Sequence, residues 1–203
     1  MTIFMFKIIC VTDRKSCSED FLTRIEKIAS AKPDRIMFRD KDCTDDDYIE
    51  TAFKILDISD RYGVPCSMYR KFDKFSNIHM TMPVLQHIRL KNMNFINLAG
   101  VSVHSVDEAV EAEKMGVDYV IVGHIFATDC KKGLAPRGLD FLKQVCNAVK
   151  IPVYAIGGIN ADNINLVAKT GADGACIMSG FMTCENPDEY IKQLRKEVTE
   201  IDV

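Results

Sequence analysis

The segment Gly123-His124-Ile125-Phe126-Ala127-Thr128-Asp129-Cys130-Lys131-Lys132-Gly133 follows the apolar run Tyr119-Val120-Ile121-Val122. An imidazole, a hydroxyl, a carboxylate and two ammonium groups therefore leave one end of a buried-looking strand. An imidazole titrates near ~6.5, so it can take and return a proton close to neutrality. Two later apolar runs end in Gly157-Gly158 and in Met178-Ser179-Gly180. Open backbone of this kind lets amides approach a phosphate, although glycine also serves tight turns for geometric reasons alone. Met37-Phe38-Arg39-Asp40-Lys41-Asp42 ends another run. It offers the planar fork of Arg39 and the point charge of Lys41 to an anion, or else it is a solvated charged loop. Together these endings point to an enzyme acting on a phosphorylated molecule. His124 is the candidate proton carrier. Gly157, Gly158, Met178, Ser179 and Gly180 form the candidate phosphate site. Arg39, Lys41, Ser102, Thr128, Lys131 and Lys132 are candidate substrate contacts. His104 precedes a capping box and reads as structural, while His79 and His87 lie in a weakly patterned stretch that carries no signal.

The elements that must position these residues alternate in type. Strand patterns cover 4–11, Arg35–Phe38, 64–68, 78–82, Leu98–Val103, 119–122, Val153–Ile156 and 175–178. Helical spacing of apolar residues covers 21–31, Asp45–Tyr62, 83–91, 106–115, 139–149, 161–170 and Pro187–Thr199. Gly63, Gly116 and Gly171 close three of these helices, and Ser105 with Glu108 three residues on reads as a capping box. The fourth unit is the weakest. Strand–helix units repeated eightfold predict an α/β fold, a parallel (β/α)₈ TIM barrel, as one domain over 1–203. An open doubly wound sheet is the rival, but no Gly-x-Gly-x-x-Gly follows the first strand. In such a barrel the chemistry gathers at the carboxyl ends of the strands, where the candidate residues lie.

Bulk properties exclude several classes. The chain has 203 residues, 47% hydrophobic and 27% charged, with net charge -3. That is the balance of a soluble globular protein with no basic excess for nucleic acid or an anionic membrane. None of the eight cysteines forms a Cys-x-x-Cys pair. Cys10, Cys66, Cys146 and Cys176 lie in apolar runs and read as reduced core residues, which suits a cytoplasmic setting. Residues 1–11 are apolar but stopped by Thr12-Asp13-Arg14, and they read as a strand rather than a leader. No apolar run approaches the ~18 residues of a membrane span.

Ser102-Val103-His104-Ser105, Gly123-His124-Ile125-Phe126 with Thr128-Asp129-Cys130-Lys131-Lys132-Gly133, and Ala155-Ile156-Gly157-Gly158-Ile159 resemble the thiamin-phosphate synthase superfamily. The likeness is greatest to its thiazole tautomerase (TenI) branch. The resemblance implies a (β/α)₈ barrel holding a small thiazole phosphate. Synthases of this family join that molecule to a pyrimidine pyrophosphate with Mg²⁺ assisting departure of pyrophosphate, and they read Gly-Pro-Ile-Phe where this chain has Gly123-His124-Ile125-Phe126. Tautomerases aromatise a thiazole carboxylate phosphate through a histidine, a role that carries over onto His124. The synthase metal carboxylates are replaced by Met68-Tyr69-Arg70 and Met80-Thr81-Met82-Pro83-Val84, whereas Arg39-Asp40-Lys41 resembles the synthase Arg-Glu-Lys motif. The expectation is therefore a tautomerase needing no cofactor or metal. The synthase, with Mg²⁺, is the alternative, and a non-catalytic thiazole-phosphate sensor is the second alternative. A homo-oligomer is left open.

Overall fold

The computed structural model describes residues 5–70, 73–88, 94–128 and 133–199. Eight parallel strands close into a barrel in sequence order. They are β1 Lys7–Val11, β2 Arg35–Phe38, β3 Cys66–Met68, β4 Asn77–Thr81, β5 Leu98–Val103, β6 Tyr119–Gly123, β7 Val153–Ile156 and β8 Gly174–Ile177. The helices are α1 Phe21–Ser30, α2 Asp45–Tyr62, α3 Met82–His87, α4 Val106–Lys114, α5 Gly138–Ala148, α6 Ile164–Ala168, α7 Ser179–Thr183 and α8 Pro187–Thr199. The (β/α)₈ expectation therefore holds.

Side-chain period explains the layers. Successive strand residues face opposite sides. Ile9, Val11, Met37, Tyr119, Ile121 and Cys176 form one apolar cluster, while their neighbours Ile8, Cys10, Ile36, Phe38, Val120 and Val122 join a second, larger one with the helices. The first fills the barrel and the second cements the helical ring. The inward positions of β4 and β5 include His79, Thr81, Gly100 and Ser102, which are polar or lack a side chain.

Local signals account for most boundaries. Thr44 Oγ1 accepts from Asp47 N at 3.2 Å to start α2, and Gly63 ends it in the left-handed conformation. Ser105 Oγ accepts from Glu108 N at 3.0 Å at the start of α4. The reciprocal bond of the box goes one residue earlier than expected, from His104 N to Glu108 Oε2 at 2.5 Å. Three expectations are corrected. The fourth strand ends at Thr81, and Pro83 sits in the first turn of α3, where its missing N–H is tolerated. The sixth helix begins at Ile164 rather than 161. Asn160 Oδ1 accepts from Asp162 N at 2.9 Å and Asn163 Oδ1 from Asn160 N at 2.9 Å, so those residues form a turn instead. Residues after β8 form the unexpected short helix α7.

Cys10, Cys66 and Cys176 are buried free thiols. Burial pushes Cys66 up to about 12 and half-buried Cys146 up to about 11, so both stay protonated. Among the described residues no helix is long and apolar enough to cross a membrane.

Candidate active site

The carboxyl ends of the strands open into a cavity of about 320 Å³. Its walls differ in chemistry. On one side stand Arg39 and Lys41, after β2, and Tyr69, just after β3. The Arg39 guanidinium carbon lies 5.8 Å from the Tyr69 ring centre and the Lys41 ammonium 5.4 Å. Tyr69 thus holds two cations at one wall by attraction to its ring face. Burial and the nearby Arg39 lower the Lys41 pKa from the ordinary lysine value. Asp40, which separates the two in sequence, is turned elsewhere and accepts from Arg14 Nε at 2.8 Å. Thr12 Oγ1 accepts from Arg39 N at 2.9 Å and donates to Arg39 O at 3.1 Å, which fixes the backbone between β1 and β2.

The opposite wall is backbone. Gly157 and Gly158 both have positive φ, at 114° and 66°. A Cβ on Gly157 would lie 2.8 Å from His124 Cα, and one on Gly158 would lie 2.4 Å from Ala127 O. Only glycine lets the loops after β6 and β7 approach so closely, and the approach leaves a rim free of side chains. Met178 and Ser179 complete this wall after β8. Gly180 does not line the cavity. It borders a neighbouring shallow depression, and a Cβ there would lie 2.2 Å from the Tyr190 hydroxyl, so its glycine serves packing of α7 on α8.

Ser102, His124 and Thr128 lie between the two walls. His124 is 5% exposed and adopts φ 64°, and its Nε2 has no hydrogen-bond partner. The left-handed backbone costs a non-glycine residue roughly 1–2 kcal/mol. Arg137 N donates to His124 O at 2.8 Å and helps hold that conformation. Strand-end reasoning therefore brings Arg39, Lys41, Ser102, His124, Thr128, Gly157, Gly158, Met178 and Ser179 to one cavity. Lys131 and Lys132 lie outside the described residues. Tyr69, Thr81 and His104 also line the cavity; His104, which its place before the capping box marked as structural, stands at the rim, and Tyr69 and Thr81 are not among the sequence candidates. The same strand-end rule would have found them, but Tyr69 was weighed only as a metal ligand and Thr81 sits in the weak fourth unit.

A family model described as thiamine monophosphate synthase matches residues 8–181. The chain belongs to this family. A thiamine-phosphate synthase of Clostridium acetobutylicum is 34% identical over 189 residues, covering 89% of each chain. One from Pyrococcus furiosus is 45% identical over 104 residues, 51% of this chain and 50% of its own length. The solved structure of a thiamine phosphate pyrophosphorylase from Pyrococcus furiosus superposes with TM-score 0.82 at 30% identity, covering 96% of each chain.

These relatives overturn the tautomerase expectation. It rested on one histidine replacing a proline and on two lost carboxylates. Similarity to synthases runs the length of the barrel. The synthase alternative brought Mg²⁺ with it, and Mg²⁺ takes oxygen ligands, usually including carboxylates. Among the described residues no group of three His, Cys, Asp or Glu side chains could hold a metal ion. The strand ends in question offer Tyr69 and Thr81 beside two cations. The described residues at these strand ends do not fit a divalent cation.

Proposed function

We propose that this member of the thiamine monophosphate synthase family is a transferase that joins a thiazole phosphate to a pyrimidine pyrophosphate. The thiazole ring nitrogen forms a C–N bond to the pyrimidine methylene carbon, the C–O bond to pyrophosphate breaks, and pyrophosphate leaves. The observation that carries this reading is that one cavity has two walls suited to anions, glycine backbone at Gly157-Gly158 and the cations Arg39 and Lys41. A single phosphorylated substrate needs one such wall; this reaction needs both.

In this reading the amides around Gly157, Gly158, Met178 and Ser179 hold the thiazole phosphate. Arg39 and Lys41 receive the pyrophosphate and meet the charge that grows on it as the C–O bond breaks, an effect that is strong in a cavity screened from water. Ser102 and Thr128 orient the reactants with hydroxyl hydrogen bonds, and the unpaired His124 Nε2 meets a polar atom of bound substrate. Lys131 and Lys132 are assigned to the same substrates from their sequence position. The barrel brings the nucleophile and the leaving group to one place, the effect from which proximity derives its rate gain.

The test is incubation of the purified chain with both substrates, with chromatographic detection of thiamin phosphate and of free pyrophosphate. Equal amounts of the two are expected. A protein that forms neither does not catalyse this reaction.

A further inference from the structure

His79 attracted no role from its sequence position. In the barrel it lies on β4 beside Gly100 of β5, with Thr81 beside Ser102. Gly100 has no side chain, and a Cβ there would lie 2.0 Å from the Tyr119 ring. That space is filled by Tyr119, whose ring stacks on His79 with centres 5.6 Å apart and planes 21° apart. Tyr69 packs toward the ring as well, 5.9 Å away at 30°. Gly100 thus makes room for Tyr119, and the Tyr119 and Tyr69 rings together fix the plane of the imidazole.

In that plane His79 Nε2 lies 2.8 Å from Ser102 Oγ. His79 Nδ1 is buried and has no partner. Burial pushes the His79 pKa down to about 3, so the ring is neutral and carries one proton. A proton on Nδ1 would leave a buried N–H orphaned, which native structures rarely tolerate. A proton on Nε2 donates to Ser102 Oγ and leaves only a lone pair unmet. With its oxygen occupied as an acceptor, the Ser102 hydroxyl keeps its own hydrogen for the cavity it lines.

We propose that His79 is a positioning residue whose Nε2–H turns the Ser102 hydroxyl into a donor aimed at an anionic oxygen of bound substrate. The proposal rests on the transferase reading for the identity of that substrate. It does not rest on it for the orientation of the hydroxyl.

Two measurements on the full chain test it. Nitrogen NMR of histidine-labelled protein reads the tautomer without any substrate. Protonated Nε2 and bare Nδ1 are expected at His79; the opposite tautomer overturns the proposal whatever reaction the protein performs. The second is a cycle of His79→Leu, His79→Gln, Ser102→Ala and the double variant His79→Leu/Ser102→Ala, read as kcat/KM. Loss of one hydrogen bond to a charged group predicts a drop of about 10-fold or more for His79→Leu. Glutamine, which retains a donor, recovers most of it, and His79→Leu has no further effect once Ser102 is alanine. Additive losses, or equal losses for leucine and glutamine, contradict the proposal and indicate a packing role. Should the wild-type chain form no product, the transferase reading fails, and the tautomer measurement still decides for or against His79.

Discussion

Arg14 holds Asp40 away from the cavity: the guanidinium Nε donates to the carboxylate at 2.8 Å, with Asp40 only 8% exposed. The carboxylate thus does not neutralise Arg39 and Lys41, its neighbours in sequence. Arg14→Gln leaves a buried carboxylate short of its charged partner, at a cost of about 1–3 kcal/mol. For a chain of this size about 2–4 °C is lost per kcal/mol. A lowered thermal midpoint together with weaker pyrophosphate binding by calorimetry is expected; unchanged binding would mean that Asp40 exerts no charge on the cavity.

Arg39→Ala and Lys41→Ala each remove a charged partner of the leaving group. Such bonds contribute about 1.5–3 kcal/mol, or about 10- to 150-fold in affinity. The KM for the pyrimidine pyrophosphate rises by that order, whereas the KM for the thiazole phosphate changes little. Because the Lys41 pKa is lowered by burial, its charge is present below that value and is lost as pH rises through it. Pyrophosphate affinity therefore falls on the alkaline side earlier than an ordinary lysine, titrating near ~10.4, would allow. Lys41→Arg, which stays charged, moves that fall to higher pH. Titrations of both proteins across the alkaline range check the sign.

Gly157→Ala and Gly158→Ala place a Cβ against backbone at 2.8 Å and 2.4 Å in conformations suited to glycine. Backbone strain of this sort costs about 1–3 kcal/mol per residue before any displacement of the loops. Loss of stability together with loss of thiazole phosphate binding is expected, by thermal unfolding and calorimetry. Alanine at either position with full binding would remove the glycine wall from the account.

His79 makes the fold acid-sensitive. Its folded pKa of about 3 lies below the ~6.5 of an unfolded histidine. The unfolded chain therefore binds the extra proton first, so stability is full above about pH 6.5 and falls as pH drops toward 3. Between pH 7.5 and 5 the loss from this group is on the order of 2 kcal/mol. His79→Gln flattens the slope of unfolding free energy over that interval. An unchanged slope would mean that His79 is not buried neutral.

Much of this was legible in residue patterns. Arg35–Phe38, Asp45–Tyr62, Leu98–Val103, Val153–Ile156 and Pro187–Thr199 have the bounds their apolar spacing and caps imply. The strand-end rule then located most of the cavity. What escaped depends on neighbours across the barrel. His79 gains its meaning from Gly100, Tyr119 and Ser102, all on other strands, and no local pattern encodes that grouping. Gly180 looked like open backbone but is small because Tyr190 packs on it. At α6, two asparagine side chains compete with the helix for backbone donors and delay its start. The tautomerase expectation failed because it rested on His124 and two replaced carboxylates, a few positions in a barrel whose similarity to synthases runs its whole length.

Transfer itself is the most direct test of the central claim. Thiamin phosphate and pyrophosphate are quantified together from wild type and from Arg39→Ala/Lys41→Ala, in EDTA and in Mg²⁺. The account predicts equimolar products, a rate in EDTA within about 10-fold of that in Mg²⁺, no more than the loss of the weakest charged contact would cause, and loss of turnover in the double variant. No product from folded wild-type protein under either condition would contradict the transferase; product only with Mg²⁺ would contradict the assignment of the leaving-group charge to Arg39 and Lys41.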